Sequence, residues 1–515
     1  MNQEVVASAV LAILLPFIWF LRISPQRPLN LPPGPKRLPL LGNILQLPST
    51  RQEVTFGQWG RKYGDIVYAR FFNTPAIIIN SLSTAQDLLA TRSKNYSDRP
   101  RFVYLDEMTE FRATFTEMST TERFRKHRAW MRAAFGDKSA LDKYRPLQLR
   151  ALHALIAGLF ATPERFEDHL KIYAGTLMME ITYGHAVTST EDAFVDVADQ
   201  ALQGVVAYGP PGTTHIDFMP ILKYVPSWIP GIRFRKEAER IRRLVRQMMD
   251  VPFALVRDQM ASGSATPSLT ASLLEEISGD GQLTKEAEGD IVELTGLIYA
   301  AGTETTTATL LTFLLAMVVY PDVLAKAQQE MDRVIGAERL PDLEDRDNLP
   351  YLECILKETY RWRVVNPLAI PHCSLSDDVY RGYDIPARSI IIPNLWYISH
   401  DPEMYPEPSR FYPERFEEKE DGRQAAVDPR TFVFGFGRRI CPGRFLADID
   451  VWLAMANIIA TSHIGKAHDE AGKEIPPEVS FTSGFTSRPH EYRCDIKPRS
   501  TQALALVSQF TYRCY

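Results

Sequence analysis

Apolar residues recur at helical spacing along most of the chain, and short β-branched runs interrupt this pattern at a few places. The runs Ile66–Phe71 and Ala76–Ile79 are typical of strands, and a third strand is predicted over Ser389–Pro393. No Gly/Ser linker, low-complexity tract or internal repeat divides residues 46–499. The pattern therefore predicts one large body that is mainly α-helical with small β-sheets.

The longest predicted helix runs from Lys285 to Tyr320, where Pro321 ends it, and would be about 50 Å long. It is apolar nearly all round from Leu294 onward, which places it at the centre of the body. Its middle, residues 301–307, is rich in glycine and threonine, which are poor helix formers. This segment predicts a bend that opens onto a cavity, and the alternative is a simple packing notch.

An uncharged run of 17 residues, Val5 to Leu21, begins the chain and predicts an N-terminal transmembrane helix. Basic residues follow it, which leaves the rest of the chain in the cytoplasm. The alternative is a cleaved signal peptide, but no basic segment precedes the run and no small-residue cleavage site follows. The predicted division is a membrane anchor at 1–22, a proline-rich connector at 23–45, a single domain at 46–499 and a C-terminal extension at 500–515.

Composition narrows the class of protein further. The chain has 45% hydrophobic and 23% charged residues, which excludes a disordered chain, a collagen-like fibre and a polytopic membrane protein. The net charge of −5 carries no basic excess that would indicate nucleic-acid binding. Five cysteines in 515 residues cannot form a disulfide framework and leave at least one unpaired. At least one cysteine therefore needs another explanation.

The most informative cysteine is Cys441, in the glycine-rich segment Phe434–Gly443. An amphipathic helix follows, so that Cys441 lies just before a helix N-terminus, where the dipole and free N–H groups favour a thiolate. The adjacent Arg439 adds positive charge. Such a thiolate is a candidate nucleophile, redox thiol or axial haem ligand, and a buried structural cysteine is the remaining alternative.

These residues resemble the cytochrome P450 family. The haem-binding signature of that family, Phe-x-x-Gly-x-Arg-x-Cys-x-Gly, is matched at every fixed position by Phe434, Gly437, Arg439, Cys441 and Gly443. Three further family motifs occur in the expected order, at residues 301–306, 358–361 and 413–416. The resemblance covers the chain from the anchor to about Arg499 and implies the cytochrome P450 fold.

The resemblance implies haem b as the cofactor, with Cys441 as the proximal iron ligand and Phe434 packed on the sulfur side. Arg439, Arg128 and His372 are expected to pair with the haem propionates. The alternative for His372 is a surface histidine. Phe124 stands where the family carries a tryptophan, so that one N–H donor to a propionate should be missing.

The central helix is expected to supply the proton chemistry. The resemblance assigns Thr305 to proton delivery and Glu304 to a proton relay from solvent, and the alternative for Glu304 is a solvated or salt-bridged acid. Glu358 and Arg361, at i and i+3 of a helix opened by Pro350, are expected to form a buried charge network with Arg415. That network would support the structure without chemistry of its own.

The implied activity is that of a haem-thiolate monooxygenase that inserts one oxygen atom from O2 into a lipophilic substrate. Electrons would come from NADPH through a flavoprotein reductase, with cytochrome b5 as a further donor. An acidic electron donor could dock on a set of basic residues. The alternative is that these residues form an ordinary solvated helix face. This set comprises Arg123, Arg125, Lys126, Arg128, Arg132, Arg438 and Arg444.

Several further segments bear on the substrate and on the cellular location of the protein. The apolar segment 210–231 resembles a second membrane contact, and the pocket should be lined by residues 104–118, 365–370, 484–486 and Ala301. Residues 362–367 and 488–490 resemble fungal secondary-metabolism and xenobiotic members, similar to the O-methylsterigmatocystin oxidoreductase group. The resemblance implies a single-pass protein of the endoplasmic reticulum with a cytoplasmic domain. Alternatives are a haem-thiolate isomerase or dehydratase and a non-catalytic haem-binding protein.

Overall fold

The computed structural model describes residues 29–111, 121–187, 192–207, 214–225, 234–279, 283–418 and 425–511. The predicted transmembrane helix lies outside these ranges. So do residues 112–118 of the predicted pocket segment, and residues 210–213 and 226–231 of the predicted second membrane contact.

Eighteen α-helices occupy most of the described chain. The first half contains α1 (Gln52–Tyr63), α2 (Leu82–Ala85), α3 (Ser93–Tyr96), α4 (Glu122–Phe135), α5 (Lys138–Asp142), α6 (Arg145–Ala161), α7 (Phe166–Tyr183), α8 (Ala193–Ala207), α9 (His215–Phe218) and α10 (Phe234–Ala261). The second half contains α11 (Leu269–Gly279), α12 (Lys285–Val319), α13 (Pro321–Val334), α14 (Pro350–Trp362), α15 (Leu395–Ser399), α16 (Arg430–Val433), α17 (Arg444–Thr461) and α18 (Thr501–Thr511).

Nine short strands form three small sheets within the described ranges. The strands are β1 (Ile66–Phe71), β2 (Thr74–Ile79), β3 (His372–Cys373), β4 (Asp378–Tyr380), β5 (Tyr383–Ile385), β6 (Ile390–Pro393), β7 (Ser462–His468), β8 (Glu474–Ile475) and β9 (Cys494–Pro498). The largest sheet has the order β1-β2-β6-β3, in which β2 and β6 are parallel and the other pairs are antiparallel. The prediction of a mainly α protein with small sheets is confirmed.

The central helix α12 is close to its predicted bounds. The side chain of Thr284 accepts a hydrogen bond from the Ala287 N–H and caps its start. Pro321 then begins α13, since a proline fits the first turn of a new helix but cannot continue the old one. Residues 306–318 are all buried, so α12 passes through the core as its all-round apolar pattern predicted.

Within the described ranges, α12 is also the one helix long and apolar enough to cross a bilayer. However, 72% of its most apolar stretch is buried inside the protein. Its hydropathy is therefore accounted for by its place in the core.

The proline-rich connector is attached to the body. The Tyr68 N–H of β1 donates to the Pro33 carbonyl at 3.0 Å, and the Asn30 N–H donates to the Asp384 carboxylate at 2.7 Å. Gly34 lies so close to β1 that a Cβ atom there would sit 1.9 Å from the Tyr68 carbonyl oxygen. At the other end of the chain, α18 buries Ala503 and Val507 against the body.

Candidate active site

The segment around Cys441 folds into a loop closed by its own backbone. The Cys441 N–H donates to the Phe434 carbonyl at 2.8 Å. Gly437 has φ +50°, and a Cβ atom there would lie 2.4 Å from the Leu89 carbonyl oxygen of the neighbouring helical turn Gln86–Thr91. This position therefore requires glycine, both for its backbone conformation and for the close approach. The half-buried ring of Phe434 packs edge-to-face with Tyr360 of α14, with 5.4 Å between centroids.

Cys441 lies just before the start of α17, as predicted, where its thiol is subject to opposing effects. Burial raises the pKa of Cys441, and this outweighs the N–H groups of Gly443 and Arg444 and the charge of Arg128, which lower it. The N–H groups of the helix terminus therefore favour the thiolate, as the sequence predicts, but burial has the larger effect on the pKa. A bound metal would have to displace the thiol proton.

The predicted propionate partners lie around this loop. Arg128 of α4 donates from Nη1 to the Ile440 carbonyl at 2.9 Å, and Arg439 donates from Nε to the Ser97 carbonyl at 2.8 Å. The Arg439 guanidinium also lies 4.0 Å from the centroid of the Phe124 ring. Where the family has a tryptophan, this chain thus offers an aromatic face to a cation rather than an N–H donor.

His372 is buried, so the alternative of a surface histidine is wrong. Its Nδ1 lies 2.7 Å from the Tyr96 carbonyl and donates to it, which leaves Nε2 as the acceptor of a neutral ring. Burial lowers the pKa of His372 well below its usual value, and the charges of Arg99 and Arg439 lower it further.

Arg99 is a candidate residue that the sequence analysis missed. It is buried and donates from Nη1 to the carbonyls of Ile370 and Pro371, at 2.6 and 2.8 Å. Burial and the charge of Arg439 lower its pKa, whereas Asp98 raises it. Its partners lie about 270 residues away in the chain, and no local pattern marks it.

These residues fit a prosthetic group that carries carboxylates. Arg99 and His372 are buried, Arg439 lies half-buried beside them, and the charge of Arg439 lowers the pKa of both, which is unfavourable unless an anion joins the three residues. Within the described ranges no cluster of three His, Cys, Asp or Glu side chains could hold a metal ion. A metal at Cys441 would therefore receive most of its ligands from a non-protein group, as the iron of haem does.

The middle of α12 faces an open space. Ala301 is exposed, although Ala300 and Thr306 on either side are buried. The Thr305 hydroxyl donates to the Ala301 carbonyl at 2.9 Å, and Thr303 and Thr307 bond back in the same way. The helix is continuous through this stretch, so the predicted bend does not interrupt it.

Gly302 serves as the packing notch that was the alternative prediction. A Cβ atom at Gly302 would lie 2.2 Å from the Met178 sulfur of α7. Gly302 therefore lets α7 approach, whereas Ala301 beside it is exposed, and the bend stays a prediction.

Glu304 is neither fully solvated nor paired with a described cation. Its Oε1 accepts a hydrogen bond from the Thr486 hydroxyl at 3.0 Å, and Thr486 is buried. Thr486 belongs to the predicted pocket segment 484–486. The carboxyl thus bridges α12 and the C-terminal part of the pocket.

The predicted charge network is present and buried. Arg361 donates from Nε and Nη2 to the two carboxylate oxygens of Glu358, both at 2.7 Å, and Arg415 donates from Nε to the same carboxylate at 3.1 and 3.2 Å. The side chains of Glu358 and Arg361 are fully buried. The network ties α14 to the segment Pro413–Phe416.

The predicted basic set is smaller than expected. Arg123 forms ion pairs with Asp290 and Glu293 of α12, and Lys126 pairs with Asp290. Burial raises the pKa of Asp290, but the hydrogen bonds from Arg123 and Lys126 outweigh it and hold that pKa below its usual value. These two cations are therefore neutralised within the fold. The exposed members of the set are Arg125, Arg132 and Arg438.

Comparison with known proteins places these features in context. A family model described as Cytochrome P450 matches residues 32–493. Cytochrome P450 monooxygenase 176 of Postia placenta is 44% identical over 500 residues, which cover 97% of this chain and 96% of that protein. Cytochrome P450 monooxygenase 136 of the same organism is 43% identical, over 98% and 95%. Cytochrome P450 monooxygenase claR of Ampulloclitocybe clavipes is 39% identical, over 93% and 88%.

Proposed function

The chain belongs to the cytochrome P450 family, and from that premise we propose that it inserts one oxygen atom of O2 into a lipophilic organic substrate. The reaction consumes the substrate, O2, two electrons and two protons, and yields the oxygenated product and one water. The observation that supports this most directly is Cys441 in its glycine-rich loop, with the buried Arg99 and His372 and the half-buried Arg439 nearby.

We propose that haem b would be held through the thiolate of Cys441, with Phe434 beside that sulfur. Arg128, Arg439 and Arg99 would face its carboxylates, and His372 would join them once a proton occupies its Nε2. When bound, the haem iron supplies oxygen activation, which the thiolate ligand favours by donating electron density.

Thr305 and Glu304 are proposed to supply the two protons. Because the Thr305 hydroxyl donates its proton to the Ala301 carbonyl, its lone pairs remain free to accept a hydrogen bond from an ordered water. Glu304, half-buried on the same helix, can take a proton from solvent and pass it inward. The exclusion of bulk water by the surrounding core would limit loss of protons and electrons to side reactions.

The electrons are proposed to come from NADPH through a flavoprotein reductase, with cytochrome b5 as a second donor. Arg125, Arg132 and Arg438 are exposed, and these cations suit an acidic partner. Arg438 belongs to the Cys441 loop, so a donor at this surface would approach the thiolate side.

A lipophilic substrate is supported by the described pocket residues. Tyr104, Met108 and Phe111 are buried, and Thr109 among them is buried too. The apolar side chains favour an apolar substrate surface, and the polar groups of the segment would orient it. Oxidation in fungal secondary metabolism or of foreign compounds suits this chemistry.

We propose that the protein is a single-pass protein of the endoplasmic reticulum membrane, with residues 1–22 as anchor and 46–499 as one cytoplasmic domain. Exposed apolar side chains support a second membrane contact. The ring of Phe218 packs against that of Phe71 with 5.0 Å between centroids, and Gly42 pairs with Phe71 in a β-bridge, which brings the turn Pro220–Tyr224 near the segment 38–45. The exposed residues of the two segments are Leu38, Leu40, Leu41, Leu45, Ile221 and Tyr224.

The carbon monoxide difference spectrum of the reduced, haem-loaded protein tests the central proposal. A band typical of thiolate ligation is expected, and Cys441→Ala should abolish it. A histidine-type band, or no haem, would overturn the assignment. Oxygen transfer is then tested with NADPH and a reductase across a panel of lipophilic compounds; product without electron use would instead indicate an isomerase or dehydratase.

A further inference from the structure

We propose that Thr486 is a positioning residue for proton delivery, which acts by holding the carboxyl group of Glu304. This inference rests on the proposed function and adds to it a residue outside the central helix. It concerns how one acid on α12 is oriented by a segment that follows almost 200 residues later in the chain.

The contact is a buried hydroxyl on a half-buried acid. Thr486 Oγ1 donates to Glu304 Oε1 at 3.0 Å, and Thr486 is only 3% exposed. Among the described residues, no lysine, arginine or histidine lies within 4.0 Å of the Glu304 carboxylate. The orientation of the Glu304 side chain therefore depends on this hydroxyl more than on any described ion pair.

The position of Thr486 is itself closely determined. On one side, the Asn366 amide donates to the Phe485 carbonyl at 2.9 Å, and on the other the Ser487 N–H donates to the Val365 carbonyl at 2.7 Å. Gly484 lies so close to α8 that a Cβ atom there would be 2.7 Å from the Val206 carbonyl oxygen. The Thr486 hydroxyl is thus presented to Glu304 by a segment attached to two other parts of the chain.

In this arrangement the two carboxyl oxygens of Glu304 have different roles. Oε1 is occupied as an acceptor, which it remains whether or not the acid is protonated. Oε2 is then the oxygen that takes one proton from a solvent water and releases one proton inward, after which the group is again a carboxylate. Without Thr486, both oxygens could turn to solvent, and the carboxyl would spend less time in the delivering orientation.

The test uses the full-length, haem-loaded protein with reductase and compares Thr486→Val, which removes the hydroxyl at nearly constant volume, with Thr486→Ser, which keeps it. Thr486→Val should lower the product formed per NADPH by about tenfold, the scale of one hydrogen bond to a charged group. It should also raise the solvent kinetic isotope effect on product formation, because proton delivery becomes slower. Thr486→Ser should restore most of the coupling.

Ser487→Ala is the matched control. It removes a hydroxyl from the next residue, whose Oγ donates to the Thr482 carbonyl at 3.1 Å and has no described contact with Glu304. Its coupling and isotope effect should equal those of the wild type. If Thr486 acts through Glu304, adding Thr486→Val to Glu304→Gln should cause no further loss.

A second readout does not depend on turnover. The infrared carboxylate bands of Glu304, obtained as the difference between the wild type and Glu304→Gln, should shift in Thr486→Val and stay in place in Ser487→Ala. The proposal would be overturned if Thr486→Val left the infrared bands or the coupling unchanged. It would also be overturned if Ser487→Ala lost as much coupling as Thr486→Val, or if the losses of Thr486→Val and Glu304→Gln added up in the double variant. A wild type without a thiolate-type carbon monoxide band would overturn the proposed function instead, and the infrared comparison would still decide the role of Thr486.

Discussion

At the scale of single residues, the buried charges differ in how they are compensated. Glu358 receives hydrogen bonds from two guanidinium groups and from the Tyr412 N–H, whereas Asp450 of α17 has one neutral partner, the amide of Gln148 at 2.7 Å. Both carboxyls are fully enclosed by protein. Replacing the carboxyl group of Glu358 by an amide should therefore destabilise the protein, whereas the same replacement at Asp450 should stabilise it.

Glu358→Gln should destabilise the protein by about 3–5 kcal/mol, because Arg361 and Arg415 would remain buried without a counter-charge. The measurement is the free energy of unfolding in denaturant. The control is Glu237→Gln on α10, which breaks an exposed pair with Arg240 and should cost less than about 1 kcal/mol. Equal losses in the two variants would contradict the structural role of the network.

Asp450→Asn should stabilise the protein relative to the wild type, and by more at pH 8 than at pH 5. Burial raises the pKa of Asp450 to about 7, against the opposing bond from Gln148, whereas the unfolded value is about 4. Between these values the folded state keeps a proton that the unfolded chain loses. The free energy of unfolding of the wild type therefore falls as the pH rises from about 4 to 7, by up to about 4 kcal/mol in total. Thermal unfolding at both pH values measures this.

The matched control for Asp450 is the exposed Asp258 of α10. Asp258→Asn should leave the difference in melting temperature between pH 5 and pH 8 at its wild-type size. A similar change in both variants would mean that the pH dependence does not come from burial of Asp450.

At the scale of elements, the Cys441 loop depends on its fit against the helical turn Gln86–Thr91. Gly437→Ala should lower the free energy of unfolding by at least about 2 kcal/mol and weaken haem retention, because φ is positive there and the Leu89 carbonyl leaves no room for Cβ. Gly289→Ala is the control, since it lies in α12 with no atom near its Cβ position, and should stabilise slightly. Full haem retention in Gly437→Ala would contradict this account.

The elements also show what the sequence could and could not predict. The bounds of α12, the strand β1 and the start of α17 after Cys441 follow from local patterns: apolar periodicity, β-branched runs, proline and glycine. Arg99, and the contact of Thr486 with Glu304, escaped prediction because the partners lie about 270 and 180 residues away. The effect of burial on the pKa of Cys441 could not be predicted for a related reason, since the depth of burial of a loop cannot be read from its motif.

At the scale of the whole molecule, charge is distributed unevenly despite the small net value of −5. Arg123 and Lys126 are used to hold α4 on α12, and the exposed cations of the Cys441 side remain for a partner. A basic set read from sequence thus overstates a docking surface, because ion pairs within the fold remove some of its members.

Arg125→Glu combined with Arg438→Glu should weaken association with an acidic reductase about tenfold or more and reduce the effect of salt on the reduction rate. The rate of haem reduction, measured at several ionic strengths, checks this. Arg240→Glu on α10, an exposed charge reversal elsewhere, should have little effect. If it slowed reduction equally, the three exposed cations would not define the docking surface.

The attachment of the connector has a mechanical consequence. Asn30 exchanges hydrogen bonds with Asp384 and Gly382, and Pro33 accepts one from Tyr68, so tension applied to the N-terminal end would be carried first by β5 and β1. These hydrogen bonds would bear the force together, and α1 would come under tension only after they break. The Cys441 loop, between the C-terminus of α16 and the N-terminus of α17, takes no part in these bonds, so we expect tension on the chain before Asn30 to load β1 and β5 before that loop.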